Sequence, residues 1–315
     1  MFPKPKFIAR FIQFAALGLL ISCASVEPVA DSQVNVPVPD IELTAEEALV
    51  LGDISGNPTQ KIAQYEPLAD YLTSRLTEVG VKEVSIKIAP DLETMQDWIA
   101  SGDVDLYFDS PYPVMVISST TEAEPLLRRW KDGVAEYSSI VFTLNTSGIQ
   151  TLEDLDGKRI ALESDFSTSG YMLPLIYLQD VGLNLVEYTS EDEDLQSNEV
   201  GFIFSTDEDN TVELVISGEV DAGAIDSETF ARLPDDIRSS MQIVIETELV
   251  ARHIVLASPE MTSEQVAAIK ALLLAMDESP DGQAVLESFE NTAQFDEFPV
   301  EQSIERLREL YNQTL

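Results

Sequence analysis

Residues 84–108, VSIKIAPDLETMQDWIASGDVDLYF, decide the fold class because they combine strand, helix and strand patterns in one short stretch. The apolar alternation of residues 84–88 predicts a strand. Asp91 is a typical N-cap for a following helix, which Gly102 ends. Residues 104–108 predict a second strand. This strand–helix–strand order is typical of an α/β fold.

The segment before this stretch extends the same pattern. Residues 48–52 form a short apolar run that ends at Gly52, and Ile62, Leu68 and Leu72 then recur at roughly helical spacing. Together with the stretch above they predict a βαβαβ unit. Such units place loops at the carboxyl ends of parallel strands, where ligands of α/β proteins bind.

A second unit of the same kind follows, with a return of the chain toward the first. Its strands are predicted at residues 139–144, 159–162, 200–204 and 220–224, and a late strand at residues 253–257. We therefore predict two lobes with mostly parallel sheets and a ligand cleft between them. Lobe I comprises residues 44–140 plus 249–315, and lobe II comprises residues 141–248.

The N-terminal residues are typical of an export signal. Residues 1–22 place Lys4, Lys6 and Arg10 before a mostly apolar stretch too short to span a bilayer. They end in Leu-Ile-Ser before Cys23, the only cysteine, which is the pattern of a bacterial lipobox. A lipidated Cys23 anchors a protein to a membrane surface without spanning it. The alternative is an ordinary secretory signal with an accidental cysteine.

Residues 23–43 are rich in Pro, Val, Asp and Ser without helical period, which predicts a flexible tether. The expected location is therefore the periplasm or the cell surface.

The charge excludes one large class of partners. The full chain carries 18 basic and 57 acidic residues, and removal of residues 1–22 leaves 15 basic residues and a net charge of −42. Nucleic-acid binding requires basic residues that neutralise phosphates, so no nucleic-acid partner is expected. Long-range steering cannot favour an anion, and an anion site must therefore work through short-range dipoles.

Residues 167–170, Ser-Thr-Ser-Gly, are the best local candidate for a binding site. Ser167, Thr168, Ser169 and Gly170 lie between a predicted strand and a predicted helix. Backbone N–H groups, three hydroxyls and a helix N-terminus can together hold an oxyanion without Lys or Arg. The alternative is ordinary capping of the helix by one serine.

Two acidic residues, Asp226 and Glu228, follow a predicted strand end, where ligands collect in α/β sheets. A solvated acidic loop is the alternative interpretation of this pair.

Taken in order, several stretches resemble the phosphate/phosphite/phosphonate-binding proteins of ABC importers, the phosphonate-binding family with a type II periplasmic-binding fold. The matching stretches are residues 65–72, 102–106, 147–158, 167–170, 218–224 and 282–286. The resemblance implies a protein whose two lobes close on a small oxyanion such as phosphonate, phosphite or phosphate. It implies a permease and an ATPase as partners, a monomeric chain, and no enzymatic activity.

The resemblance also implies roles for individual residues. Ser167, Thr168 and Ser169 would grip the oxyanion, Phe108 would line the pocket, and Ser110 lies on the same loop.

Three positions depart from the pattern of the family. Leu92 follows Ala-Pro-Asp where members often carry Tyr, Glu208 stands where a His is common, and Arg252 replaces an acidic residue before the late strand. A carboxylate at position 208 repels a doubly charged phosphate unless it is turned away or protonated. Arg252 can compensate, since its guanidinium matches phosphate or carboxylate. We therefore expect the oxyanion end to be kept and a different substituent or protonation state to be recognised.

Three other functions are alternatives for such a chain. A serine hydrolase needs a base, but His253, the single histidine, opens an apolar strand, and no Gly-x-Ser-x-Gly elbow occurs. The acidic stretches at residues 191–194 and 207–209 lack EF-hand spacing, so no metal and no cofactor are expected. A sensing module that reports to a receptor uses the same closing cleft and stays open as an alternative.

Overall fold

The computed structural model describes residues 48–188, 195–299 and 302–315. The predicted signal peptide (residues 1–22), the lipidation site Cys23 and the tether (residues 23–43) lie outside the described residues, as does the acidic stretch at residues 191–194. Within the described ranges, no helix combines the length and the apolar character needed to cross a membrane.

Fourteen strands are found in the described part of the chain. They are β1 (Ala48–Ile54), β2 (Glu83–Ala89), β3 (Leu106–Asp109), β4 (Glu124–Arg129), β5 (Glu136–Tyr137), β6 (Ser139–Leu144), β7 (Arg159–Leu162), β8 (Asn184–Glu187), β9 (Glu199–Phe204), β10 (Ala222–Asp226), β11 (Met241–Glu246), β12 (Val250–Ala251), β13 (His253–Ala257) and β14 (Phe295–Asp296).

The helices alternate with these strands. They are α1 (Pro58–Thr73), α2 (Leu92–Ser101), α3 (Pro111–Thr120), α4 (Leu173–Asp180), α5 (Glu208–Ser217), α6 (Ser227–Arg232), α7 (Asp235–Ser240), α8 (Ser263–Leu274), α9 (Pro280–Ser288) and α10 (Gln302–Gln313).

Two mixed six-stranded sheets organise the molecule. The first sheet has the order β14-β4-β13-β3-β1-β2, and the second sheet has the order β11-β6-β10-β7-β9-β8. In the first sheet β2, β1 and β3 run parallel, and β13 is antiparallel to both of its neighbours. In the second sheet β8, β9, β7 and β10 run parallel, and β6 is antiparallel to both of its neighbours. The predicted α/β architecture is confirmed.

The stretch that decides the fold class forms as its sequence predicts. The Asp91 side chain accepts a hydrogen bond from the backbone N–H of Thr94 and caps α2, and Gly102 ends the helix with a left-handed φ of 75°. Gly52 leaves room for Val104 and for Met95 of α2, because a Cβ there would lie 2.6 Å from Val104 Cγ1 and 3.0 Å from Met95 Cε. The second strand is shorter than predicted, since β3 begins at Leu106.

The chain passes between the sheets twice. It leaves the first sheet after β4 and returns to it at β13, and the short strands β5 and β12 pair antiparallel where the two passages meet. Ser139 already belongs to β6 of the second sheet, so this sheet begins two residues before the predicted lobe boundary at 140/141.

A buried arginine connects the first sheet to the segment after α9. Arg129, at the end of β4, is fully buried. Its Nε donates to Thr292 Oγ1 and its Nη2 to the Phe289 carbonyl, each at 2.9 Å. Its Nη2 also lies 3.0 Å from Glu290 Oε2. The guanidinium therefore contacts Phe289, Glu290 and Thr292, which belong to the loop that follows α9.

We expect Arg129→Met to lower the free energy of unfolding by about 3–5 kcal/mol, because it leaves the Glu290 carboxylate buried with less compensating charge. Urea denaturation followed by circular dichroism measures the change. Arg308→Met, at an exposed position on α10, is the control and should change stability by less than about 0.5 kcal/mol. Equal midpoints for Arg129→Met and the wild type would contradict the role given to Arg129.

Candidate functional site

A cavity of about 250 Å³ lies where the carboxyl ends of strands from both sheets meet. β1 and β3 of the first sheet contribute their last residues, as does β10 of the second sheet, and β7 contributes the residues that follow it. The cavity is lined by Asp53, Ile54, Lys61, Asp109, Ser110, Lys131, Tyr137, Glu163, Ser164, Phe166, Ser167, Ser169, Glu208, Asp226, Arg252 and His253. A larger groove of about 890 Å³ beside α8 is lined mostly by small and apolar residues.

Ser167 lies at the start of the turn that follows β7. Its Oγ accepts the backbone N–H of Gly170 at 2.9 Å and donates its own hydrogen to Glu163 Oε2 at 2.7 Å. One turn of π-helix covers residues 168–172, and α4 then begins at Leu173. Pro174 consequently sits in the first turn of α4, where a missing N–H is tolerated. The Ser167 hydroxyl lines the cavity, but its hydrogen is already used.

Thr168 has a different role from the one predicted. Its side chain is fully buried and does not line the cavity, and its Oγ1 accepts the backbone N–H of Tyr112 at 2.8 Å. Because Tyr112 belongs to α3, beside the first sheet, this bond connects the turn to the opposite side of the cavity. The prediction that the three hydroxyls all face the ligand is therefore wrong for Thr168.

Ser169 is the hydroxyl of this turn that remains for a ligand. Its side chain lines the cavity. Burial raises the pKa of the Tyr137 hydroxyl, and the side chains of both Thr168 and Ser169 oppose that rise. Its carbonyl accepts the Ser139 hydroxyl at 2.5 Å, which fixes the backbone of the turn against β6.

Gly170 is buried behind the turn and does not line the cavity. A Cβ at this position would lie 2.5 Å from Glu163 Cβ, so glycine is required for the turn to close on β7.

Glu208 lines the cavity and is held by the start of α6. Its Oε1 accepts the backbone N–H of Asp226 at 2.7 Å, and its Oε2 accepts the Thr229 hydroxyl at 2.6 Å. Burial, with the neighbouring charges of Asp226 and Glu163, raises the pKa of Glu208 to about 7. Burial also raises the pKa of Glu163. The second sheet thus presents carboxyl groups that hold protons more tightly than usual.

The two acidic residues predicted as site residues at the end of β10, Asp226 and Glu228, differ in their position relative to the cavity. Asp226 lines the cavity, and its Oδ1 accepts the backbone N–H of Thr229 to cap α6. Glu228, in the first turn of α6, does not line the cavity, which corrects its assignment as a site residue.

Arg252 lines the cavity between the two sheets, as its predicted role requires. One guanidinium nitrogen lies 3.3 Å from Asp132 Oδ2 and 3.3 Å from Asp226 Oδ2. The guanidinium also lies over the Tyr137 ring, 4.5 Å from its centroid. Its Nε is buried without a hydrogen-bond partner among the described residues.

Ser110 and Phe108 lie close together on the chain but not in the same environment. Ser110 lines the cavity. Phe108 does not, because its ring is fully buried in a core cluster with Tyr65 and Phe289. The difference arises because Phe108 lies within β3 and packs into the core, whereas Ser110 lies beyond the end of β3 as the N-cap residue of α3.

His253 lies at the start of β13 on the cavity wall and is buried, as the sequence predicts for a structural histidine. Burial, reinforced by the charges of Lys131, Arg129 and Arg252, lowers its pKa well below the usual value. The imidazole is therefore neutral, and its Nδ1 has no partner among the described residues.

Sequence reasoning missed the two lysines of the site. Lys61, on α1, lies 2.9 Å from Asp53 Oδ2 and 2.6 Å from Glu290 Oε1. Lys131 follows β4 and approaches Glu290 Oε1 only to 3.7 Å. Arg252 is the basic residue that the sequence predicts for the site, and the cavity adds two further basic side chains, Lys61 and Lys131.

Residues 55–302 match the family described as ABC transporter, phosphonate, periplasmic substrate-binding protein. The chain belongs to this family. It is thus the periplasmic substrate-binding protein of a phosphonate ABC transporter, and the family consists of binding proteins rather than enzymes.

Solved structures agree with this assignment. The XAC2383 protein of Xanthomonas citri, bound to chloride ion, is 28% identical with a TM-score of 0.80, covering 84% of this chain and 96% of that chain. The same protein bound to ATP is 27% identical with a TM-score of 0.79, covering 85% and 96%. PhnD1 from Prochlorococcus marinus, in complex with methylphosphonate, shares the fold at 17% identity and a TM-score of 0.66, covering 86% and 99%. The binding protein therefore has the predicted type II periplasmic-binding-protein fold.

The raised pKa of Glu208 predicts a pH-dependent stability. A carboxyl group whose pKa is higher in the folded state contributes stability at low pH and loses it as pH rises from about 4.5 to about 7. Between about pH 5 and pH 8, wild-type protein should lose on the order of 2 kcal/mol more than Glu208→Gln. Urea denaturation at a series of pH values measures this difference.

The same substitution at the exposed Glu219, just after α5, provides the control. Parallel pH profiles for the wild type and Glu208→Gln would show that Glu208 is ionised normally in the fold.

Proposed function

We propose that the cavity between the two sheets is the ligand site of this binding protein and that it takes a small phosphonate-like oxyanion. The observation that carries the proposal is that basic side chains and a serine hydroxyl converge there from both sheets, at the carboxyl ends of their strands. The first sheet side provides Lys61 and Lys131, and the second provides Ser169. An anion between them contacts both sides at once, so its binding favours closure.

The proposed lobes follow the two sheets. Lobe I comprises residues 44–138 and 249–315, and lobe II begins with β6 and extends to residue 248. The paired strands β5 and β12 then lie at the passage between the lobes.

The size of the cavity favours a ligand smaller than a nucleotide. Pockets for drug-sized molecules occupy roughly 300–1,000 Å³, whereas this one measures about 250 Å³. The relative bound to ATP and the structural neighbour bound to methylphosphonate thus suggest different ligands, and the volume supports the smaller one.

The carboxyl groups of Glu163 and Glu208 favour a ligand that carries hydrogen-bond donors. When ionised they repel a bare dianion and accept from an amino substituent or from the hydroxyl of a singly protonated phosphonate. Their raised pKa values reduce that repulsion, because a protonated carboxyl is neutral and can itself donate. We propose that these two carboxyl groups discriminate between ligands by their substituent or their protonation state.

In the proposed cycle the closed protein delivers its ligand to a permease and its ATPase, and Cys23 carries the lipid that holds the monomer at the membrane. A sensing role that reports to a receptor is the alternative, and it uses the same cavity.

A thermal-shift screen followed by calorimetry tests the ligand proposal. The panel contains methylphosphonate, 2-aminoethylphosphonate, phosphite, phosphate, sulfate and ATP. A ligand present at about 100 times its dissociation constant adds about 2.7 kcal/mol of stability. We expect a clear shift with at least one phosphonate or phosphite and none with ATP. A shift with ATP alone, or with no member of the panel, would overturn the proposal.

Ser169→Ala should weaken binding of the best ligand by about 1.5–3 kcal/mol, the contribution of a hydrogen bond to a charged group. Ser217→Ala, which removes an exposed hydroxyl from α5, is the matched control and should bind as the wild type does. Calorimetry that gives the same affinity for both variants would remove Ser169 from the site.

Cys23→Ser should move the protein from the membrane fraction to the soluble fraction of cells, because serine cannot carry the thioether-linked lipid. Fractionation with immunoblotting measures this distribution, and mass spectrometry of the wild type detects the lipid. Recovery of the wild type in the soluble fraction would support the ordinary secretory signal instead.

A further inference from the structure

Lys131 is held by a tight turn between β4 and β5, where the chain leaves the first sheet. Asp132 and Gly133 both have left-handed backbone conformations, with φ of 56° and 83°. The turn is closed by hydrogen bonds from Gly133 N to the Trp130 carbonyl and from Val134 N to the Lys131 carbonyl, each at 3.3 Å. Asp and Gly are residue types that adopt this conformation more readily than most others, so the sequence fits the turn. The turn directs the Lys131 side chain to the cavity wall.

The carboxylate nearest to Lys131 already serves two other cations. Glu290 Oε1 lies 2.6 Å from Lys61 Nζ, and Glu290 Oε2 lies 3.0 Å from Arg129 Nη2. Lys131 Nζ approaches the same Oε1 only to 3.7 Å, which is beyond hydrogen-bonding distance. Its ammonium group, with three N–H donors, therefore lacks the short ion pair that Lys61 has.

The ion pairs of this cluster are unequal. Lys61 contacts both Asp53 and Glu290 within 2.9 Å and Arg129 contacts Glu290 at 3.0 Å, whereas the one carboxylate oxygen paired with Lys131 among the described residues is that of Glu290, at 3.7 Å. Arg252, which also lines the cavity, forms ion pairs with both Asp132 and Asp226. A partly desolvated charge without a counterion is unfavourable, and a bound anion removes the penalty.

The other titratable groups of the cavity are affected by the same charge. Burial raises the pKa of Asp109 and of Glu163, and the Lys131 charge opposes that rise in both. Burial is also the main cause that lowers the pKa of Lys131 itself, with Glu290 opposing it and Lys61, Arg252 and Arg129 adding to it. Lys131 is therefore central to the charged wall on the first-sheet side.

We infer that Lys131 is a ligand-binding residue whose ammonium group contacts an oxygen of the bound anion opposite the Ser169 turn. This inference rests on the proposed function. It makes the site two-sided: hydroxyl and peptide groups hold the anion from the second sheet, and a full positive charge holds it from the first.

Calorimetric titration of methylphosphonate into the wild type, Lys131→Met, Lys131→Arg and Lys270→Met tests the inference. Lys131→Met should weaken binding by about 10- to 100-fold, as expected for loss of one charge-assisted hydrogen bond. Lys131→Arg keeps the charge and should recover most of the affinity. Lys270→Met removes a lysine paired with Glu297 away from the cavity and should bind as the wild type does.

The pH dependence separates a ligand contact from a structural role. Because the pKa of Lys131 is lowered, wild-type affinity should fall as pH rises toward about 10, whereas Lys131→Arg should keep its affinity there. If Lys131→Met fails to fold, the pH profiles of the wild type and Lys131→Arg still show whether the Lys131 ammonium group contacts the ligand.

The possible failures are distinguishable. Wild-type protein that binds no anion of the screen contradicts the proposed function. Wild-type protein that binds methylphosphonate, with Lys131→Met equally tight or with the same pH profile for Lys131→Arg, contradicts only the inference about Lys131.

Discussion

The buried carboxylate of Glu290 holds Lys61, Arg129 and Lys131 together, and this cluster determines the charge of the cavity wall on the side of the first sheet. Burial alone would raise the pKa of Glu290, but the three cations hold it well below its usual range. The carboxylate is therefore ionised at neutral pH. Without it, three like charges would be left close together in a partly desolvated region, which is strongly unfavourable.

This local arrangement matters because the protein as a whole is strongly acidic. With 57 acidic and 18 basic residues, its long-range field repels anions. Exposed charges are largely screened beyond about 8 Å at physiological ionic strength, whereas buried charges are screened much less. Groups that line the cavity thus dominate the potential there. Because the cavity is lined by five carboxyl groups and three basic side chains, an anion there depends on direct contacts with the basic side chains and on peptide dipoles rather than on net charge.

Sequence patterns predicted the fold well because its signals are local. The Asp91 cap, the end of α2 at Gly102 and the strand end at Asp226 each depend on residues close in the chain. The charged cluster could not be found in this way, since Lys61 and Glu290 are 229 positions apart. Asp53 is an intermediate case. It lies at the carboxyl end of a predicted strand, and ligands of α/β proteins bind at such strand ends.

Thr168 shows why residue types within a motif cannot be assigned one common role. Ser167, Thr168 and Ser169 offer similar hydroxyls, but the π-turn gives them different positions. Ser167 donates to Glu163, Thr168 accepts from the backbone N–H of Tyr112, and Ser169 lines the cavity. The bond to Tyr112 crosses from the second sheet to a helix of the first. The position of the turn relative to the first sheet is therefore set partly by the protein itself. A ligand that bridges Ser169 and the basic wall adds to contacts that already join the two sides, so only its differential affinity for the closed arrangement contributes to closure.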